Sequence, residues 1–64
     1  MSTKNKELAE KLSVAREKLG LTQAEVAEKT GIDVTYYARI ERGEINSRYD
    51  KLKKIFEVLR IKML

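Results

Sequence analysis

The stretch that decides the fold runs Leu21-Thr22-Gln23-Ala24-Glu25-Val26-Ala27-Glu28-Lys29-Thr30-Gly31-Ile32-Asp33, and it continues into Tyr36-Tyr37-Ala38-Arg39-Ile40-Glu41-Arg42-Gly43. It reads as two short helices with a tight turn between them. Thr22 and Glu25 have capping-box spacing: the hydroxyl accepts from the Glu25 amide and the carboxylate reaches back to the Thr22 amide. Val26 and Ala27 are the apolar positions of this first helix, and Gly31 stops it. Asp33 is a good N-cap for the next helix, and its carboxylate also suits the positive helix end. Tyr37 and Ile40 are its inward residues, and Gly43 ends it. Only Lys29-Thr30-Gly31-Ile32 separates the two periodic segments. A link that short, with a glycine inside it, fits two helices joined at a steep angle.

On the N-terminal side, Leu8, Leu12, Ala15 and Leu19 recur at helical spacing, with Lys and Glu filling the other face, and Gly20 closes the segment. On the C-terminal side, Ser47-Arg48-Tyr49-Asp50 reads as a weaker capping box with Ser47 at the cap. Leu52, Ile55, Phe56 and Leu59 then follow the i, i+3, i+4, i+7 rule. No segment alternates with period two, so the expected class is all-α. The chain is expected to form a single domain over residues 1–64, with its two-helix motif at about residues 22–42.

Composition narrows the chemistry. Sixty-four residues bury only a modest core. There is no Cys, so no disulfide, thiolate metal site or thiol nucleophile, and no His, the commonest metal ligand and general acid/base. No paired carboxylates, nucleophile–base set or glycine-rich phosphate loop appears, so no catalytic residue, metal or cofactor is expected. The net charge of +4 hides a gradient: residues 1–30 carry six Lys/Arg against five acids, and residues 31–64 carry eight against five. A basic second half suits an anionic partner. No apolar run spans a bilayer and the first residues lack a signal-peptide core, so a cytoplasmic protein with no membrane partner is expected.

Taken together, the Gly, Gln, Ala and Ile-Glu-x-Gly positions between Gly20 and Gly43 resemble the Cro/cI-type (XRE) helix-turn-helix family. The resemblance extends from about Leu8 to Leu59. It implies a lambda-repressor-like bundle of four to five helices that binds double-stranded DNA as a transcriptional regulator, most simply a repressor. Arg16 and Glu41 match a family pair that forms a partly buried salt bridge between the first and third helices, where a bidentate arginine suits the role. Ala27 is small where the two helices of the motif cross, and Val26, Ile32, Tyr37 and Ile40 are expected in the core.

In such folds the third helix enters the major groove and the second lies across the phosphate backbone. If Tyr37, Ile40 and Glu41 face inward, helical spacing turns Val34, Thr35, Ala38, Arg39 and Arg42 outward. Val34, Thr35, Ala38 and Arg39 are the candidate base readers. The first three permit close approach and contact with a thymine methyl, and Arg39 suits guanine N7 and O6. Gln23, Tyr36, Arg42, Asn46, Ser47 and Arg48 are the candidate phosphate contacts, the last three in the loop that opens the fourth helix. Lys51, Lys53 and Lys54 add to the positive field.

Two departures from the family stand out. Ser47 takes a position where relatives often carry Pro, and Arg60 replaces the usual Gly after the fourth helix. Without that stop, the helix is expected to run on. Val58, Ile61, Met63 and Leu64 remain apolar after the core face is counted; either a partner covers them or the natural chain is longer. They are the candidate interface of a homodimer on a palindromic operator, because a two-fold axis brings one patch against itself. The rival reading is a protein-interaction module, such as an antitoxin-type partner. A row of acids on the outer face of the third helix would have favoured it.

Overall fold

The structure, a computed structural model, describes residues 3–62, with side chains from Lys6 to Lys62. It contains α1 (Thr3–Lys18), α2 (Gln23–Thr30), α3 (Val34–Glu41) and α4 (Tyr49–Leu59), and no strand among the described residues. The all-α class and the helix order read from apolar spacing are both seen. None of these helices is long and apolar enough to cross a membrane.

α2 and α3 have eight residues each. Isolated helices shorter than ~12 residues are marginal in water, so caps and packing must hold these two. The α2 capping box forms as read: Thr22 Oγ1 accepts from the Glu25 amide at 3.1 Å, and the Thr22 amide donates to Glu25 Oε1 at 2.8 Å. Gly31 ends α2 at a φ of 72°, letting the Ile32 amide reach back to the Ala27 carbonyl at 2.9 Å. A β-carbon at Gly31 would meet nothing within 4 Å. The position therefore favours glycine for its left-handed backbone and not for want of space. Asp33 Oδ2 accepts from the Thr35 and Tyr36 amides at 2.9 and 3.2 Å, which starts α3.

α4 departs from expectation at both ends. Ser47 does not cap it. Arg48 holds the cap position without a side-chain bond, and the Ser47 hydroxyl donates to the Arg48 carbonyl at 3.3 Å. The helix begins one residue later than the Ser47–Asp50 spacing requires, so Ser47 stands one residue before the cap position. At the other end, Arg60 does not let the helix run on. It adopts a φ of 59°, and the Ile61 amide donates to the Phe56 carbonyl at 2.9 Å. This is the reverse turn that Gly31 makes, formed by a residue with a β-carbon. A left-handed non-glycine residue costs about 1–2 kcal/mol. The turn returns Ile61 to the protein, where it packs against the core and offsets that cost.

The core joins Leu12 of α1, Val26 and Ala27 of α2, Ile32 of the turn, Tyr37 and Ile40 of α3, and Ile55 and Leu59 of α4. Both α1 and α2 pack against α3 and α4. Ala27 is buried where α2 meets its neighbours, as its size suggested. On α1, Leu12 is buried and Ala15 and Leu19 pack against the core as read, but at the start of the seam Ala9 is buried in place of Leu8, which stays half-buried. On α4, Leu52 and Phe56 flank the core half-buried. Thr30 is buried although polar. Its hydroxyl donates to the carbonyls of Val26 and Ala27 at 2.8 and 3.1 Å, which satisfies it within its own helix.

Candidate nucleic-acid interface

The inner side of α3 is anchored first. Tyr37 has no exposed surface and Ile40 is buried beside it. Next to them the Glu41 carboxylate takes a two-point grip from Arg16: Nε donates to Oε2 at 2.7 Å and Nη2 to Oε1 at 3.2 Å. Arg16 Nη1 also donates to the Leu21 carbonyl at 2.9 Å, tying the α1–α2 turn to the same ion pair. Gln23 adds a third strand, its Nε2 donating to Glu41 Oε1 at 3.1 Å. The two ionic side chains are 14% and 4% exposed.

Burial pushes the Glu41 carboxyl up. The hydrogen bonds from Arg16 and Gln23, with the adjoining Tyr37 hydroxyl, outweigh that and hold it below the ordinary carboxylate value. The Tyr37 hydroxyl lies beside this carboxylate without a hydrogen bond of good geometry. Burial, then the neighbouring Glu41, push its ionisation far up, so it stays neutral. For Arg16, the bond to Glu41 raises its pKa despite burial.

With that side locked, the other side of α3 faces solvent. Val34 is 42% exposed, Thr35 and Arg39 are exposed, and Ala38 is half-buried at the base of the same face. An exposed valine beside a threonine and an arginine, on a helix whose opposite side is fixed by core and ion pair, is a surface shaped for close contact. Arg42 lies at the end of this face. Its Nε donates to Glu44 Oε2 at 2.6 Å and its Nη2 to Glu44 Oε1 at 3.3 Å, while Arg39 Nε donates to Glu44 Oε1 at 3.4 Å. The bond to Arg42 leads in holding the Glu44 carboxyl below its ordinary value.

Residues 12–64 match the family model described as helix-turn-helix, of the Cro/cI (XRE) type. The chain belongs to the Cro/cI-type helix-turn-helix family. No curated protein and no solved structure matches it closely enough for comparison. The family is a DNA-binding, regulatory and generally non-enzymatic one, so this helix-turn-helix protein is a DNA-binding domain of the transcription-regulator kind.

Within the helix-turn-helix protein, the remaining candidates fall into two places. Tyr36 is half-buried against the core, and its ring lies under Lys51 Nζ, 4.8 Å from the centroid. This cation–π contact joins the first turn of α3 to the first turn of α4. In the intervening loop Asn46 and Arg48 are exposed and Ser47 is half-buried. Gln23 sits apart from them, turned toward Glu41; the amide nitrogen carries one further hydrogen.

Sequence reasoning did not find this second role of Gln23, nor Glu44 between the two arginines. An acid two residues beyond Arg42, across a helix-ending glycine, is the signal that marks Glu44. The fourth helix does not run on past Arg60. α4 stops at Leu59, Val58 and Ile61 are half-buried against the core, and Met63 and Leu64 lie outside the described residues. Ile61 lines a shallow depression with Val14 and Ala15 of α1.

Proposed function

We propose that this chain binds a palindromic double-stranded operator as a homodimer and represses transcription by occupying it. In this reading α3 enters the major groove. Val34, Thr35, Ala38 and Arg39 meet base edges, with Arg39 donating to guanine N7 and O6. Gln23, Tyr36, Arg42, Asn46, Ser47 and Arg48 meet phosphates and set the register. The observation that carries it is the two-sided character of α3. Tyr37, Ile40 and Glu41 fix one side, and the other presents Val34, Thr35 and Arg39 to solvent.

One such helix reads few base pairs, and half-sites read from one face of the duplex lie about one turn apart. Two copies centred ~34 Å apart, each 27 × 24 × 21 Å across its Cα atoms, meet at their edges. Their mutual contact is therefore small, and DNA supplies much of the coupling between them. The C-terminal residues Val58, Ile61, Met63 and Leu64 are the proposed contact.

Selection of binding sites from random duplex DNA tests the reading. The expected result is a two-fold symmetric consensus with half-sites about one turn apart. Recovery of no consensus, or of a single asymmetric half-site bound by one copy, would sink the operator and the dimer respectively.

A further inference from the structure

Gly43 ends α3 in a left-handed turn, and the Glu44 amide donates to the Arg39 carbonyl at 3.0 Å. The chain thereby folds Glu44 back over the last turn of α3, between Arg39 and Arg42. The two arginines are not held alike. Arg42 gives Glu44 two bonds, at 2.6 and 3.3 Å. Arg39 gives it one long bond through Nε, at 3.4 Å, and its two terminal nitrogens make no hydrogen bond among the described residues. The three side chains are 51%, 57% and 42% exposed for Arg39, Arg42 and Glu44. Ion pairs this exposed add little to stability, so the fold does not account for the arrangement.

What the arrangement changes is the charge shown to DNA. Phosphates attract every lysine and arginine whatever the sequence, and a carboxylate among the arginines opposes that attraction. Guanine offers neutral acceptors, N7 and O6, which need a pair of aimed donors and not net charge. A side chain that neutralises Arg42 and steadies Arg39 by Nε, while leaving the Arg39 terminal nitrogens available, separates those two kinds of contact.

We propose that Glu44 is a specificity-determining residue. It weakens the grip of this face on DNA of arbitrary sequence more than its grip on the cognate site, by competing with phosphates for Arg42 and by holding Arg39 in line for a base edge. The inference rests on the reading that the outer face of α3 enters the major groove.

Binding of the full chain and its Glu44→Gln and Glu44→Ala variants is measured by fluorescence anisotropy over a range of salt. One probe is a duplex carrying the selected consensus and the other a scrambled duplex of the same length. Melting temperatures serve as the folding control, and Arg39→Ala is run through the same site selection. Glu44→Gln is expected to bind the scrambled duplex about three- to tenfold more tightly, with a salt slope steeper by about 0.9. It should gain less on the consensus, so the ratio of the two affinities falls. Glu44→Ala should lower the ratio further, because Arg39 loses its tether. Equal gains on both duplexes, or no gain on either, overturn the inference even if Arg39→Ala changes the selected consensus. If Arg39→Ala returns the parent consensus, the base-reading role fails and this inference falls with it.

Discussion

Two carboxylates three residues apart, Glu41 and Glu44, each grip arginine at the end of α3, and their settings are opposite. The shortest bonds are nearly equal, 2.7 Å from Arg16 to Glu41 and 2.6 Å from Arg42 to Glu44. Distance therefore does not tell them apart. Burial does: the side chains of the Arg16–Glu41 pair are 14% and 4% exposed, those of the Arg42–Glu44 pair 57% and 42%. Inside, a broken pair leaves a charge that water cannot reach, so the bond is a condition of folding. Outside, water screens the pair and replaces it at little cost, so the arginine can change partners. One helix thus ends in a fixed arginine contact on its core side and an exchangeable one on its solvent side.

The largest expected effect breaks the inner pair. Glu41→Ala leaves Arg16 and Gln23 without their shared acceptor and should cost roughly 2–4 kcal/mol, somewhat under the fully buried case. Urea denaturation measures it. An unchanged midpoint would mean that the inner pair is as dispensable as the outer one.

Acid sharpens the same contrast. The folded-state pKa of Glu41 is depressed, so its contribution is fully present above the unfolded value of about 4.3 and is lost as pH falls through the folded value. Stability should hold near neutrality and decline below about pH 4. Glu41→Gln should start lower and show a shallower acid decline in denaturation curves at successive pH values. A parallel decline in parent and variant would assign the acid sensitivity elsewhere, for instance to Glu25, whose carboxyl is lowered by its bond to the Thr22 amide.

On the outer side, Arg39→Ala should leave the melting temperature within the range of an exposed substitution. It should weaken consensus binding by about 1–3 kcal/mol and relax one base pair per half-site. Loss of stability with an intact consensus would reverse the roles of the two sides.

The smallest effect serves as a calibration of folding without DNA. Arg60→Gly relieves a left-handed arginine at the end of α4, and should stabilise by about 0.5–1 kcal/mol once the greater freedom of glycine in the unfolded chain is counted. Operator affinity should not change. A destabilised variant would show that the Arg60 side chain contributes more than its backbone costs.

The parts of the molecule that local rules govern were legible in the sequence. The Thr22–Glu25 box, the Asp33 cap and the stop at Gly31 each depend on residues within a few positions, and each forms. Val26, Tyr37 and Ile40 followed from the apolar positions of the two helices, Ile32 followed from the family resemblance, and all four are buried. What failed depends on competition between distant parts. Arg60 takes a conformation that its own side chain disfavours, because Ile61 packs better when the chain turns there. Ser47 has the right chemistry for a cap one residue too early, and where α4 starts is fixed by its packing, not by its first turn. Gln23 and Glu41 lie 18 residues apart in sequence, so only the assembled fold shows their bond. Of the candidate site, the outer face of α3 was readable once its inner face was assigned. The Glu44 bracket was not, because it needs the left-handed turn at Gly43 to bring the carboxylate back beside Arg39.

The most direct test of the two-sided account is a titration of the nitrogen-15-labelled chain with its selected duplex, following the arginine Nε–Hε signals by NMR. The Arg39 and Arg42 signals are expected to move, Arg42 as it exchanges Glu44 for phosphate and Arg39 as its terminal nitrogens meet a base edge, while the Arg16 signal stays where the Glu41 bond sets it. Movement of the Arg16 signal with Arg39 and Arg42 unmoved would contradict the account, and would put the DNA on the other side of the helix.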